Sequence, residues 1–154
     1  MDIAEKLTEE TYSQGAEIIE WQFESGRIKG LYCDGVIAVS KDLDTRAERA
    51  GVIAEELGHH LTATGNILDQ NITWNRKQEF QGRIWAYNRL IGLEGILRAY
   101  KAGCRNRYEM AELLEVPEET LQEALDYYRS KYGLQTQAGN FVICFEPLGV
   151  MEVI

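Results

Sequence analysis

The 154 residues predict an α+β fold, and three observations carry that expectation. Apolar residues recur at helical spacing in the first dozen positions. Three short runs of strand character, separated by turn glycines, fill Ala16 to Ser40. Helical spacing then returns and covers most of the chain from Thr45 to Tyr132, before one last strand. Helices and strands are thus segregated rather than alternated, which argues against a doubly wound parallel sheet.

Each element has a local reason. Ile3 to Tyr12 reads as a helix, and Gly15 is its stop. Ala16 to Phe23 carries Ile18, Ile19, Trp21 and Phe23, Arg27 to Cys33 carries Ile28, Leu31 and Tyr32, and Val36 to Ser40 carries Val36, Ile37 and Val39. Ser25-Gly26 and Asp34-Gly35 separate the runs, and the second pair is a strong two-residue hairpin signal. A small antiparallel meander is expected. Asp44 or Thr45 can cap the next helix, which runs to about His60 with Ala50, Ile53, Leu57 and Leu61 on one face and Gly65 closing the segment.

A polar loop, Asn66 to Asn75, leads into a long helical pattern from about Arg76 to Ala102. Its apolar positions are Phe80, Ile84, Leu90, Ile91, Leu93, Ile96 and Leu97, and Gly92 and Gly95 can loosen or break it. Two shorter helices, Tyr108 to Leu114 and Pro117 to Tyr132, meet at Glu115-Val116-Pro117, with proline in a favoured first-turn position. Phe141 to Phe145 is an apolar strand, followed by a turn at Pro147 and Gly149. The chain divides on this reading into a core, residues 1–103, and a helical pair with the last strand, residues 104–154, packed as one unit with the core.

Composition narrows the function. A hydrophobic content of 45% and a charged content of 27% are those of an ordinary globular protein and exclude disordered, collagen-like and coiled-coil classes. No apolar run approaches the roughly 18 residues of a membrane helix. The acidic start, Met1-Asp2-Ile3-Ala4-Glu5, is unlike a secretory signal. Sixteen basic against twenty-five acidic side chains leave a net charge of -9, unsuited to phosphate backbones or anionic membranes. A protein, a peptide or a metal ion is the expected partner. Cys33, Cys104 and Cys144 are odd in number and lack C-x-x-C spacing, so a reducing cytoplasm is expected, with each cysteine a small buried hydrophobe.

The chemistry-bearing stretch is Ala54-Glu55-Glu56-Leu57-Gly58-His59-His60. On a helix, Glu55 and His59 stand one turn apart on a shared face, opposite Leu57, and Glu56 projects aside. This is the spacing of the zinc-peptidase motif H-E-x-x-H, with Glu55 where the first histidine stands. A carboxylate there can still hold Zn²⁺, but it weakens Lewis acidity and favours harder ions such as Mn²⁺. The alternative from spacing alone is a solvated acidic face with a histidine pair near a helix C-terminus.

That stretch does not stand alone. Ser25-Gly26-Arg27-Ile28-Lys29-Gly30-Leu31-Tyr32-Cys33-Asp34-Gly35 precedes it, and Ile67-Leu68-Asp69, Lys77-Gln78-Glu79, Trp85-Ala86-Tyr87 and Phe145-Glu146-Pro147-Leu148-Gly149 follow. In this order the segments resemble the ImmA/IrrE family of metallo-endopeptidases, in particular short members from phages and mobile elements, over nearly the whole chain. The resemblance implies a zincin-like fold: a small antiparallel or mixed sheet packed on a motif helix and the long helix after it. It also implies a cytoplasmic peptidase acting on a protein, a helix-turn-helix repressor being the family's usual target. By position, Glu56 is the general base, and His59 and Glu55 occupy two metal-ligand places. Glu79 is the candidate third ligand, with Gln81 the competing register. His60 and Arg83 are expected around the ligands. Zn²⁺ is the implied cofactor, with Mn²⁺ or no metal as alternatives.

Met110 to Leu121 has the look of a helix-turn-helix, with Ala111, Leu114, Val116 and Leu121 spaced for two closely crossing helices. Between Arg107 and Lys131 three basic side chains face seven acidic ones, so this unit is expected to pack or to dock a protein rather than read DNA. Two readings remain: a metal-dependent endopeptidase, with Val36 to Ser40 as an edge for a bound peptide, or a catalytically inactive peptidase-fold module that binds a regulatory protein.

Overall fold

The computed structural model describes residues 1–62 and 72–153, and side chains throughout these except at 72–75. Gly65, the first part of the expected polar loop and Ile67-Leu68-Asp69 lie outside the described residues. Helices and strands follow the α+β order. They are α1 (Ile3–Ser13), β1 (Glu17–Trp21), β2 (Gly30–Cys33), β3 (Val36–Ser40), α2 (Arg46–Thr62), α3 (Ile72–Leu90), α4 (Gly92–Lys101), α5 (Arg107–Leu114), α6 (Glu118–Tyr132), β4 (Gln135–Ala138), β5 (Phe141–Phe145) and β6 (Leu148–Glu152). The chain forms two compact units, Met1–Ala86 and Tyr87–Ile154.

In the first unit the strands do not form a meander. Their order is β1-β3-β2, with β1 parallel and β2 antiparallel to β3. Asp34 and Gly35, both at positive φ, make the tight β2–β3 hairpin that their sequence announces. Ser25-Gly26 makes no such hairpin. Residues 22–29 are a connection long enough to carry β2 to the far side of β3, so β3 becomes the central strand. Val36–Ser40 therefore has both edges paired, and the edge assigned to it belongs instead to β2 and β1.

Parity along β3 separates the sheet's two faces. Ile37 and Val39 are fully buried on the side that receives α1 and α2. On the other face, the register sets Ile19, Ala38 and Leu31 side by side, with Ile19 and Leu31 exposed. Cys33 lies on that outer face and is exposed, while Cys104 and Cys144 are half-buried, so none of the three is the buried hydrophobe expected of it.

α1 is capped by Asp2, whose carboxylate accepts the Glu5 N–H at 2.8 Å and also meets the Arg46 guanidinium at the start of α2. Of the two candidate caps for α2, Thr45 is the one that accepts, from the Glu48 N–H at 3.0 Å. Ala50, Ile53, Ala54 and Leu57 form the buried stripe of α2. Leu61, expected on that stripe, falls in the final turn and is 38% exposed.

The second unit holds α4, α5, α6 and an antiparallel β4-β5-β6 sheet. The long helix expected to run to Ala102 breaks between α3 and α4 at Gly92, whose φ of 61° lies in the left-handed region that glycine enters without strain. Phe80, expected on its apolar side, is exposed, whereas Leu90, Ile91 and Ile96 are buried. The α5–α6 corner turns through Glu115 in the left-handed region, and Ala111, Leu114, Val116 and Leu121 are buried around it. Pro117 sits one residue earlier than expected, at the cap of α6. The last strand, Phe141–Phe145, is the middle of three. β4 and β6 are polar or glycine-bearing and carry no strong alternation to betray them.

Candidate metal centre

The motif helix α2 turns its charged side toward β2 and α3, and all three elements line one cavity of about 530 Å³. Arg27, Lys29, Gly30 and Tyr32 come from β2 and the segment before it, Glu55, Glu56 and His59 from α2, and Glu79 and Arg83 from α3. Two close backbone approaches set this arrangement. A Cβ on Gly30 would stand 2.4 Å from Val52 Cγ1, so β2 lies directly on α2 only because residue 30 has no side chain. A Cβ on Gly58 would stand 2.6 Å from the Gly82 carbonyl oxygen, which identifies the α2–α3 crossing as a contact between two glycines.

At that crossing the His59 ring occupies the space a side chain at residue 82 would fill. A Cβ on Gly82 would lie 2.0 Å from His59 Cδ2 and 2.5 Å from Nε2. Opposite, His59 Nδ1 bonds Glu56 Oε2 at 2.9 Å. Nε2 is buried without a hydrogen-bond partner, although Glu79 Oε2 stands 3.5 Å away. That separation is an electrostatic contact and not a made hydrogen bond. Glu55, His59 and Glu79 each offer one ligand atom, all within 4.8 Å of one another.

The electrostatics are those of crowded like charges. Burial raises the Glu55 carboxyl above its ordinary pKa, with Arg83 opposing and Glu56 adding to the rise. Burial alone would lower the His59 pKa, but Glu56, followed by Glu79 and Glu55, outweighs it and holds the imidazole above 6.5. The Glu55 shift is chiefly one of burial, and the His59 shift one of neighbouring carboxylates. Arg83 supplies positive charge, 3.4 Å from Glu55, with its own side chain exposed and Glu55 half-buried.

Between the two registers on α3, it is Glu79 that stands beside His59. Gln81, about 200° further round the helix, is exposed. His60 joins none of these groups. Its Nε2 meets the Gln14 carbonyl at 2.9 Å and must donate, so Nδ1 accepts from the Tyr32 hydroxyl at 2.7 Å. Tyr32 in turn accepts from the Gly35 N–H at 3.1 Å. His60 thereby ties α2 to the end of α1 and to β2, a structural task. Sequence reasoning missed Gly30, Gly58 and Gly82 as makers of the site, because a lone glycine inside a helix or strand is an ambiguous signal.

The residues fit a divalent cation. An unbonded buried imidazole nitrogen, His59 Nε2, stands beside Glu79, and Glu55 adds a second carboxylate to the group. Nε2 and Glu79 Oε2 at 3.5 Å stand at about the separation, roughly 3.4 Å, of two atoms sharing a tetrahedral ion with bonds near 2.1 Å. Comparison with known proteins agrees in kind. Residues 12–126 match the Peptidase_M78 family model, described as an IrrE N-terminal-like domain. No curated protein matches the sequence. Among solved structures, a Mycobacterium tuberculosis transcriptional regulator superposes with a TM-score of 0.60 at 18% identity, over 80% of this chain and 41% of that one. The likeness to that regulator is one of fold, and this chain spans about two fifths of its length.

Proposed function

The chain belongs to the IrrE N-terminal-like family of Peptidase_M78, and from that premise we propose that it is a metal-dependent endopeptidase of the cytoplasm acting on a protein substrate, with a phage-type helix-turn-helix repressor as the leading target. The observation that carries this reading is the unbonded His59 Nε2 beside Glu79, with Glu55 in the same group of possible ligands and Glu56 on the same helix. Glu55, His59 and Glu79 would hold the ion, Zn²⁺ first and Mn²⁺ second because two of three ligands are carboxylates. When bound, such an ion supplies Lewis acidity that acidifies water and polarises a carbonyl.

The chain's own residues do the rest. Glu56 is 8% exposed and lines the cavity. Its Oε2 is engaged by His59, which leaves Oε1 to take a proton from water and return it to the leaving amine. The substrate would lie extended along the β2 edge, pairing with its backbone as an added strand. On this reading residues 1–103 supply the hydrolytic core, and the acidic α5–α6 pair in residues 104–154 packs or docks protein rather than DNA. The fold shared with a transcriptional regulator is compatible with a regulatory target.

A second reading has an observation of its own. Glu55 stands where the family pattern has histidine, so the cleft can also serve as a binding module without hydrolysis. Metal analysis after chelator-free purification, with cleavage of peptides spanning a helix-turn-helix repressor, separates the two. The peptidase reading expects bound metal and a loss of about 10²–10⁴-fold in rate for Glu56→Gln. Absence of both metal and cleavage leaves the binding module.

A further inference from the structure

We propose that Glu56 has a second task, distinct from proton transfer: it is the positioning residue that fixes the tautomer and the ring orientation of His59. The inference rests on the metallopeptidase reading for its purpose, but its geometry stands independently of it. A carboxylate accepts and does not donate, so the 2.9 Å contact between Glu56 Oε2 and His59 Nδ1 places the ring proton on Nδ1. In the neutral ring Nε2 is then left with its lone pair, and Nε2 is the atom that faces Glu79 and is otherwise unbonded. With the opposite tautomer, Nε2 would carry a hydrogen directed at the place where an ion must bind.

The same contact fixes direction as well as protonation. Glu56 holds one edge of the ring, and the backbone of Gly82 closes the other, where a single added carbon would collide with Cδ2. Between these limits the imidazole has one orientation. Glu56 is itself buried and sits three residues before His59 on the same helix, so the brace moves with the ligand it supports. Carboxylates bonded to the far nitrogen of a ligating histidine commonly raise its basicity and hold its tautomer, and their loss lowers metal affinity about 10–100-fold. In this chain one side chain would serve both as that brace and as the base. Glu56 substitutions should therefore damage binding and chemistry by separable amounts.

Two readouts test this. The first is nitrogen NMR of metal-free protein at a pH where His59 is neutral. The proposal expects the Nδ1–H form in the wild type and in Glu56→Gln, whose amide oxygen still accepts, and its loss in Glu56→Ala. The second is Zn²⁺ affinity by competition with a chelating dye. Glu56→Gln should stay within a few-fold of wild type, while Glu56→Ala should weaken by about 10–100-fold. An Nε2–H ring in the wild type overturns the proposal whether or not the variants fold. So does unchanged Zn²⁺ affinity in Glu56→Ala. Wild-type protein that shows the Nδ1–H form but binds neither Zn²⁺ nor Mn²⁺ upholds the brace and overturns the peptidase reading instead.

Discussion

The two units treat buried polar groups in opposite ways. In the second unit, Tyr128 is 1% exposed and fully employed: its hydroxyl donates to Asn88 Oδ1 at 2.9 Å and accepts the Gly92 N–H at 3.2 Å. Burial pushes its pKa far up, so it stays neutral, and its ring packs at a tilt against Tyr127, Tyr132 and Phe145. Among the described residues, the unit that holds Tyr128 leaves no buried side-chain nitrogen or oxygen unpaired. In the first unit, two such atoms are buried and unpaired, His59 Nε2 and Gln78 Nε2, and three carboxylates act on the His59 ring. An orphaned buried polar atom costs roughly 1–3 kcal/mol. At His59 that cost falls among groups able to hold a metal ion, whereas the second unit avoids it, so the one is arranged for a ligand and the other for stability.

The sharpest way to break that contrast is at the glycine crossing. Gly82→Ala should displace the His59 ring, abolish measurable Zn²⁺ binding and cost about 1–3 kcal/mol in unfolding free energy through overpacking. Calorimetric titration and chemical denaturation would show both. Tyr128→Phe is the converse. Removing the hydroxyl strands Asn88 and the Gly92 N–H, so denaturation should show a loss of about 1–3 kcal/mol while Zn²⁺ affinity stays unchanged.

Acid should act selectively on the first unit. Because neighbouring carboxylates hold the His59 pKa above 6.5, protons compete for Nε2 up to that raised value. Metal affinity should fall by about tenfold per pH unit below it for each proton displaced, and level off above it. The metal-free protein has the opposite sign. Charged His59 stabilises the fold fully below 6.5, and that contribution is lost as pH rises through the folded pKa. Thermal melts across pH 5–9, with and without Zn²⁺, should therefore slope in opposite directions. The smallest effect is at Asp2, which hydrogen bonds to Arg46 and Glu5 hold at about 2. Its contribution is complete above 3.8 and fades as pH falls toward 2, so Asp2→Asn should lower Tm slightly at pH 7 and by less at pH 3.

The comparison also marks how far sequence alone reaches. α1, α2 and the α5–α6 corner were legible because their apolar stripes and caps are local. Leu114, Val116 and Leu121 are buried at the corner their spacing indicated. The motif helix was legible too, down to Glu55 and His59 sharing a face. Sheet order was not, since Ser25-Gly26 looks like a turn whether β1 lies beside β2 or beyond β3. β4 and β6 escaped notice because strands such as Gln-Thr-Gln-Ala gain their place from β5 rather than from their own residues. The site was half legible. Its ionisable groups could be picked out by type, but Gly30, Gly58 and Gly82 matter through the side chains they lack. The bond from Glu56 to His59 depends on a rotamer that spacing does not specify.

The central claim is that Glu55, His59 and Glu79 converge on one divalent ion. A crystal structure of the protein soaked in Zn²⁺, with the ion located by anomalous scattering, tests it directly. The account predicts one ion bonded to Glu55, to His59 Nε2 and to Glu79 at about 2.0–2.2 Å, with Glu56 still on Nδ1. A metal bound elsewhere while this cleft keeps His59 Nε2 free, or a ring turned to present Nδ1 to the ion, would contradict it.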